Sequence, residues 1–570
     1  MGDWMLNEGP KWAFLFIWFG TNIGVFTGFF LKFYNGAQYY YLNQILGLAL
    51  PFARGSAACL NLNCMLILFP VCRNLLSFIR GSCNCCRIIC RRNVRRQMDK
   101  NITFHKALAY MIIFHTAVHI IAHCFNLEFF MQAWDSPNNQ TRGLLSTLST
   151  QEDPWLNPIR DPNTHTILEM LKIVAGVTGV MITLSLIIIY SSATELIRRS
   201  YFEVFWFTHH LFAVFFIGLV IHGVQGVVRS QTNIDLHDPV LCATQYLQWG
   251  PTNPECPVPQ FAGGPAQTWQ WVIVPMVFYM IERGIRFYRS QQKIVITKVV
   301  KHPSKVLELQ MKRKGFKMEA GQYIFLHCPS ISRLEWHPFT LTSSPEEDYF
   351  SVHIRTVGDW TNALAKMCHA DEKEFQEAWK LPAVAADGPF GTASEDVFQY
   401  QVDICVAAGI GVTPFASVLK HVWYQYNNPN FETKLRKVHF FWICPDTNAF
   451  EWFSDLLHQL ETQMAEQGKR DFLDANIYLT RGWDQNQAKN IMLQEEDVYD
   501  AVTGLHQKTN YGRPNWDAIF KGIADANPNT SIGVFFCGPK VLSTTLHKMS
   551  NKYTNIEEGG AKFFYNKENF

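Results

Sequence analysis

A surplus of charge of either sign is missing from this chain: 50 Lys and Arg stand against 48 Asp and Glu in 570 residues. Proteins that grip nucleic acid neutralise phosphates with excess Lys and Arg, so no nucleic-acid partner is expected. The first long apolar run lacks the basic start and small-residue cleavage site of a signal peptide, so it reads as a retained span. Leu6 stands where a myristoylation signal carries Ser or Thr. Cys83, Cys85, Cys86 and Cys90 lack the spacing of a zinc site and read as reduced thiols, with palmitoylation of one or two as the alternative.

What the first half has is apolar length. Spanning a bilayer takes about 20 apolar residues. Six stretches qualify: Trp12–Leu31, Leu46–Phe69, Thr103–Phe125, Leu168–Tyr190, Phe202–Val224 and Trp269–Ile285. Arg80, Arg87, Arg91, Arg92, Arg95, Arg96 and Lys100 follow the second, Arg198 and Arg199 the fourth, and Arg283, Arg286 and Arg289 the sixth. The intervening loops are poor in Lys and Arg. The positive-inside rule then places the N-terminus, the basic loops and everything after Arg286 in the cytosol. The segment Arg80–Lys100 could dock on the second half of the chain or on anionic lipid, or stay solvated. Cys242 and Cys256 fall in the long outer loop, where a disulfide is permitted. Asn139 opens a glycosylation sequon on the outer side; Asn101 and Asn529 open sequons on the cytosolic side, where they stay unmodified.

Two spans carry histidine where lipid penalises it. "FHKALAYMIIFHTAVHIIAH" holds His105, His115, His119 and His123, and "THHLFAVFFIGLVIHG" holds His209, His210 and His222. His105 and His119, 14 residues apart, lie on one helix face about 21 Å apart. His209 and His222, 13 residues apart, are expected about 20 Å apart with a modest angular offset. Both spans cross in the same direction, so His105 can face His209 and His119 can face His222. Two levels of facing imidazoles fit two bis-histidine haems. A proton path through His115 and His123 and structural polar packing are the alternatives. Arg54, inside the second span with no acidic residue in that span, fits a haem propionate or an anionic product.

The second half changes pattern. "KIVITKVV", "VLELQMKR", "QYIFLHCP" and "FSVHIRTV" read as antiparallel strands of a small barrel. After "DGPFG", strands and helices alternate, which predicts a parallel sheet with helices on both faces. Gly409 and Gly411 follow a strand and open a helix, the context in which a pyrophosphate approaches the backbone.

"HPFTLTS", "DGPFG", "GIGVTP", "FCGP" and the terminal "NKENF", behind a paired-histidine bundle, resemble the catalytic subunit of a transmembrane NADPH oxidase of the phagocyte-type branch, a family shared with ferric reductases. The likeness runs end to end and includes "PVCRNLLSF", "RRSYFEVFW" and "YGRPNW". It implies three domains: a six-helix transmembrane haem-binding domain over residues 1–290, an antiparallel β-barrel FAD domain over 291–391, and an α/β NADPH-binding domain over 392–570. The cofactors implied are two b-type haems, FAD and NADPH. His337, Pro338, Phe339 and Thr340 would line the flavin, with Arg355 and Thr361 on its phosphates or adenosine. Gly409, Gly411, Thr413 and Pro414 would hold the dinucleotide, and Cys537, Gly538 and Pro539 would sit near the nicotinamide. Phe570 would cover the flavin ring, and Arg54 and His123 would flank the oxygen pocket beside the outer haem.

Electrons would pass to oxygen outside and give superoxide; an outward-facing metalloreductase and a non-redox proton conduit are the rival functions. A small membrane companion subunit, cytosolic organiser and activator proteins, Rac GTPase and membrane lipid are the implied partners, and the plasma membrane the implied location. The stretch Asp484–Asp500 resembles the family's regulatory insertion. The chain departs from the pattern at Pro445, where close relatives carry an Arg for the 2′-phosphate of NADPH. Arg513 remains, and Arg481 looks like an addition.

Overall fold

The computed structural model describes residues 2–82, 88–134, 140–148, 155–159, 163–250, 253–370, 377, 379–428, 433–445, 451–469, 471–480, 499–500 and 503–568. Two compact units divide the chain. One gathers Leu15–Cys72 and Ile102–Met280; the other gathers Met1–Phe14, Arg73–Asn101 and Ile281–Phe570.

The first unit is helical. Among the described residues, five helices are long and apolar enough to cross a membrane: Trp4–Asn35, Ala49–Val71, Asn101–Gln132, Val174–Ser192 and Phe202–His222. Phe16, Ile17, Leu184 and Ile187 stand exposed on them, a surface that water penalises and lipid chains solvate. The sixth expected span lies in the 23-residue helix Thr268–Ser290, whose last turns carry Glu282, Arg283, Arg286 and Arg289. The fourth span is interrupted at Ile173, whose extended backbone separates Thr166–Lys172 from Val174–Ser192. Gly55 and Gly179 are contact points: a Cβ at Gly55 would lie 3.1 Å from the Phe26 ring, and one at Gly179 would lie 3.3 Å from the His222 ring.

The fifth span corrects the expected histidine geometry. Thirteen residues of regular α-helix fall about 140° short of four full turns, so His209 and His222 would point to nearly opposite sides. The structure overwinds the helix between them. The amides of His210, Leu211 and Ala213 bond to carbonyls three residues back, Phe207, Thr208 and His210, at 3.2, 3.1 and 3.1 Å. A residue in such a turn advances about 120° rather than about 100°, which recovers part of the deficit.

The second unit holds two three-stranded antiparallel sheets and one six-stranded parallel sheet. The first sheet joins Val295–His302, Val306–Lys312 and Phe350–Arg355; the second joins His337–Thr340, Tyr323–His327 and Ala385–Phe390. The parallel sheet runs in the spatial order Asn510–Tyr511, Leu473–Leu479, Lys437–Cys444, Val402–Ala408, Ser531–Cys537, Lys562–Lys567. Alternation along Lys437–Cys444 sends Phe440 and Trp442 into one core and Phe441 into another, so both faces are covered.

Candidate functional site

The bundle brings four of its histidines into two couples. The ring centroids of His105 and His209 lie 6.3 Å apart, and those of His119 and His222 also lie 6.3 Å apart. With each ring nitrogen roughly 1 Å inside its centroid and metal–nitrogen bonds of about 2.0 Å, two axial imidazoles put their centroids about 6 Å apart. Both gaps therefore fit an iron.

The rear nitrogens are already engaged. His105 Nδ1 lies 3.0 Å from the Ile67 carbonyl, His119 Nδ1 3.0 Å from the Ala53 carbonyl, and His222 Nδ1 2.9 Å from Thr178 Oγ1. Such contacts fix tautomer and ring plane and leave Nε2 for the metal. His209 Nδ1 is buried without a hydrogen-bond partner among the described residues. His210 bonds back to the Trp206 carbonyl at 2.7 Å and belongs to neither couple. His115 stacks on Phe26 instead. His123 lies 4.4 Å, ring to ring, from His119. Arg54 follows the residue whose carbonyl holds His119. Its guanidinium lies 4.8 Å from the Phe33 ring, and its Nε is buried without a partner among the described residues, a cation left for an anion.

In the second unit the antiparallel sheets place the "HPFT" strand beside Tyr323–His327, with Leu326 opposite His337 and Tyr323 opposite Thr340. The His337 ring packs at 4.3 Å on Trp360, and Phe339 packs on the same indole at 6.1 Å. Trp360 opens the helix Asp359–Met367. Thr361 Oγ1 accepts the amides of Val357 and Gly358 there, at 3.1 and 3.0 Å, and so shapes a helix N-terminus suited to phosphate. Arg355 ends the neighbouring strand with its side chain exposed. Asp387 of "DGPFG" is buried and takes Arg286 at 2.7 Å and Arg289 at 2.9 Å.

At the carboxyl ends of the parallel strands, Gly409 adopts φ +58° and its carbonyl accepts Trp442 Nε1 at 3.0 Å. A Cβ on Gly411 would meet the Cys537 carbonyl at 2.3 Å, so only glycine lets this turn close against the strand end. Thr413 and Pro414 start the helix Thr413–Tyr426, with Pro in the first turn where no amide is lost. Cys537 ends its strand beside Ala407, and burial pushes its thiol above the ordinary range. Gly538 and Pro539 follow it into the helix Lys540–Tyr553. The Gly512 amide bonds the Leu479 carbonyl at 3.0 Å and the Thr480 amide the Cys444 carbonyl at 2.9 Å, which aligns Pro445 and Arg513 along the same sheet end. Phe570, Asn139, Arg481 and residues 484–498 lie outside the described residues. Cys242 and Cys256 are joined by a disulfide, with Cα atoms 5.6 Å apart.

Of two further features, the first escaped sequence reasoning and the second was one of three alternatives it left open. Glu568 accepts the Ser394 amide at 2.8 Å and Oγ at 2.5 Å, and burial pushes its carboxyl up to about 7. A carboxyl poised near neutrality beside Cys537 can hold or release a proton. The second feature is the basic segment, which docks on the flavin–nucleotide unit. Arg80 pairs with Asp99, Glu395 and Asp396, Arg95 pairs with Asp396 at 2.7 Å, and Arg92 lies 4.5 Å over the Tyr400 ring. Only the placement of the acidic partners on Ala393–Gln399 reveals this.

A helical membrane part with paired imidazoles, joined to a barrel and a parallel nucleotide-type sheet, defines a membrane flavin-and-haem reductase. Residues 54–220 match the Ferric reductase like transmembrane component, residues 291–394 the FAD-binding domain, and residues 400–551 the Ferric reductase NAD binding domain. The chain is 53% identical to human NADPH oxidase 3 over 576 residues, covering 100% of both chains. It is 50% identical to mouse NADPH oxidase 1, covering 100% of this chain and 95% of that one. It is 39% identical to a superoxide-generating NADPH oxidase heavy chain of Dictyostelium discoideum, covering 99% of this chain and 98% of that one. The chain belongs to the NADPH oxidase family.

Proposed function

We propose that this membrane protein moves electrons from cytosolic NADPH to oxygen on the other side of the bilayer, and that the two imidazole couples mark the route. The protein is a superoxide-generating NADPH oxidase whose cofactors are FAD, NADPH and haem. When bound, FAD takes a hydride from NADPH, and electrons then travel singly through the haems to oxygen. The single observation that carries the route is the equal 6.3 Å gap in both couples.

His105 and His209 would hold one haem iron, and His119 and His222 the other. Arg54 and His123 would then be the groups that oxygen meets at the outer level. The Arg54 cation offers charge to an anionic product or a propionate, and His123 orients or protonates at the same level. His337, Pro338, Phe339 and Thr340 line the flavin, with Arg355 and the Thr361 helix start on its phosphates. Gly409, Gly411, Thr413 and Pro414 admit the pyrophosphate, Arg513 takes the 2′-phosphate, and Cys537, Gly538 and Pro539 border the nicotinamide. By its family resemblance, Phe570 would cover the flavin until nicotinamide displaces it.

The basic loops support a cytosolic flavin–nucleotide unit, with the Cys242–Cys256 bond outside; the plasma membrane as the location and glycosylation at Asn139 rest on the family resemblance and the sequon. A small membrane companion subunit, organiser and activator proteins and Rac GTPase complete the assembly; the Dictyostelium relative is itself named a heavy chain. The test is NADPH-driven cytochrome c reduction by the purified protein, with and without those partners. Reduction abolished by superoxide dismutase is expected. Ferric reduction that ignores the dismutase would assign a metalloreductase instead.

A further inference from the structure

One cluster in the barrel takes no part in the electron route. In the sheet of Val295–His302, Val306–Lys312 and Phe350–Arg355, Glu308 lies opposite Val300 on one side and opposite His353 on the other. His302 is two residues beyond Val300, and a strand repeats every two residues, so all three side chains share one face. Their donor atoms lie within 4.8 Å of one another. His302 Nε2 is 2.9 Å from Glu308 Oε2, and His353 Nε2 is 3.6 Å from the same oxygen.

Each main donor is held from behind. Thr342 Oγ1 bonds His353 Nδ1 at 2.8 Å, which leaves Nε2 for the cluster. Gln310 Nε2 donates to Glu308 Oε1 at 2.8 Å, which leaves Oε2.

We propose that His302, Glu308 and His353 bind one Zn²⁺ ion, with a fourth position left to water. Two imidazoles and a carboxylate are a donor set that Zn²⁺ accepts, and a tetrahedral ion with bonds of about 2.0–2.1 Å keeps its ligands about 3.4 Å apart. The two measured separations, 2.9 and 3.6 Å, straddle that value. The Trp452 ring stacks on His353 at 4.0 Å, and Trp452 belongs to the helix Glu451–Glu466 beside the parallel sheet. An ion here ties three barrel strands directly beneath a helix of the nucleotide layer and stiffens that junction.

The experiment uses the purified full chain with flavin and haem loaded. Diethyl pyrocarbonate modification of His302 is followed by mass spectrometry across a Zn²⁺ titration. Zn²⁺ protects His302 in the parent protein. Partners that merely orient a ligand change metal affinity by about 10–100-fold, so Glu308→Gln, which removes a ligand, shifts the midpoint by at least that factor. No protection in the parent, or an unchanged midpoint in Glu308→Gln, overturns the proposal. A second arm counts bound Zn²⁺ by equilibrium dialysis in His302→Gln, a change at the accessible edge of the cluster. One ion fewer than the parent is expected, and equal content overturns the assignment.

Discussion

Arg80→Ala is the sharpest probe of how the basic segment is held. Arg80 Nε lies 3.0 Å from Glu395 and Nη2 lies 3.2 Å from Asp396, while Nη1 reaches Asp99. The Arg80 side chain is 5% exposed and the three carboxylates between 3% and 16%. These are buried pairs, so truncating one partner costs about 3–5 kcal/mol, against about 0–1 kcal/mol for a surface pair. Arg95 stays behind, 2.7 Å from Asp396, but its Nη2 is also spent on the Arg80 carbonyl at 3.1 Å, a bond that alanine preserves. Glu395 and Asp396 then lose their Arg80 partner, and only Asp396 keeps Arg95.

For a unit of this size each kcal/mol moves the melting temperature by about 2–4 °C, so a fall of roughly 6–20 °C is expected. Flavin fluorescence on heating reads it directly. Buried charges are shielded from salt, so the fall should persist at about 1 M NaCl, where the Debye length is about 3 Å. A cycle with Asp396→Ala separates pairing from general damage: the double variant should cost less than the sum of the singles. A fall under about 2 °C, or strict additivity, would refute the clasp as a buried network.

Leu in place of His105, His209, His119 or His222 should each remove haem absorbance, whereas His210→Leu should retain it; full haem in all four would end the axial assignment. Glu568 carries a pH signature: its carboxyl sits at about 7 in the fold against an ordinary value of 4.5. Its contribution is intact below about 4.5, declines as pH rises through about 7, and amounts to about 3 kcal/mol; Glu568→Gln should flatten that decline, and superimposable melting profiles across pH 5–8.5 would count against it. Arg513→Ala should cost roughly 1.5–3 kcal/mol of NADPH recognition, about ten- to a hundredfold, read as the ratio of NADPH to NADH kcat/KM. An unchanged ratio moves the 2′-phosphate site elsewhere, and Arg481→Ala is the variant that locates it.

Much of the architecture was legible because period and punctuation report local physics. Phe440, Phe441 and Trp442 alternate between two cores, as expected of a strand covered on both faces. Gly409 and Gly411 were readable because a turn at φ +58° and a contact at 2.3 Å admit no side chain. The Ser394–Glu568 bond was not legible. Its partners are 174 residues apart, and neither belongs to a pattern until the fold joins them. The docking of Arg80 and Arg95 stayed one of three open alternatives for the same reason. A basic loop after a span has a sufficient explanation in topology alone, and its carboxylate partners lie some 300 residues away, at separations of 315, 316 and 301.

The histidine couples show where spacing alone misleads. His105 to His119 spans 14 residues of one unbroken helix, and the period of 3.6 places both on one face. His209 to His222 spans 13, which the same period would turn away from a common partner. The couples nevertheless close to the same 6.3 Å at both levels because the backbone tightens at His210, Leu211 and Ala213. That local overwinding is therefore part of the geometry of the histidine couples. His210, which enters neither couple through its side chain, contributes through its amide and carbonyl. The site is thus set by a backbone irregularity whose only sequence trace is the one-residue difference between 14 and 13.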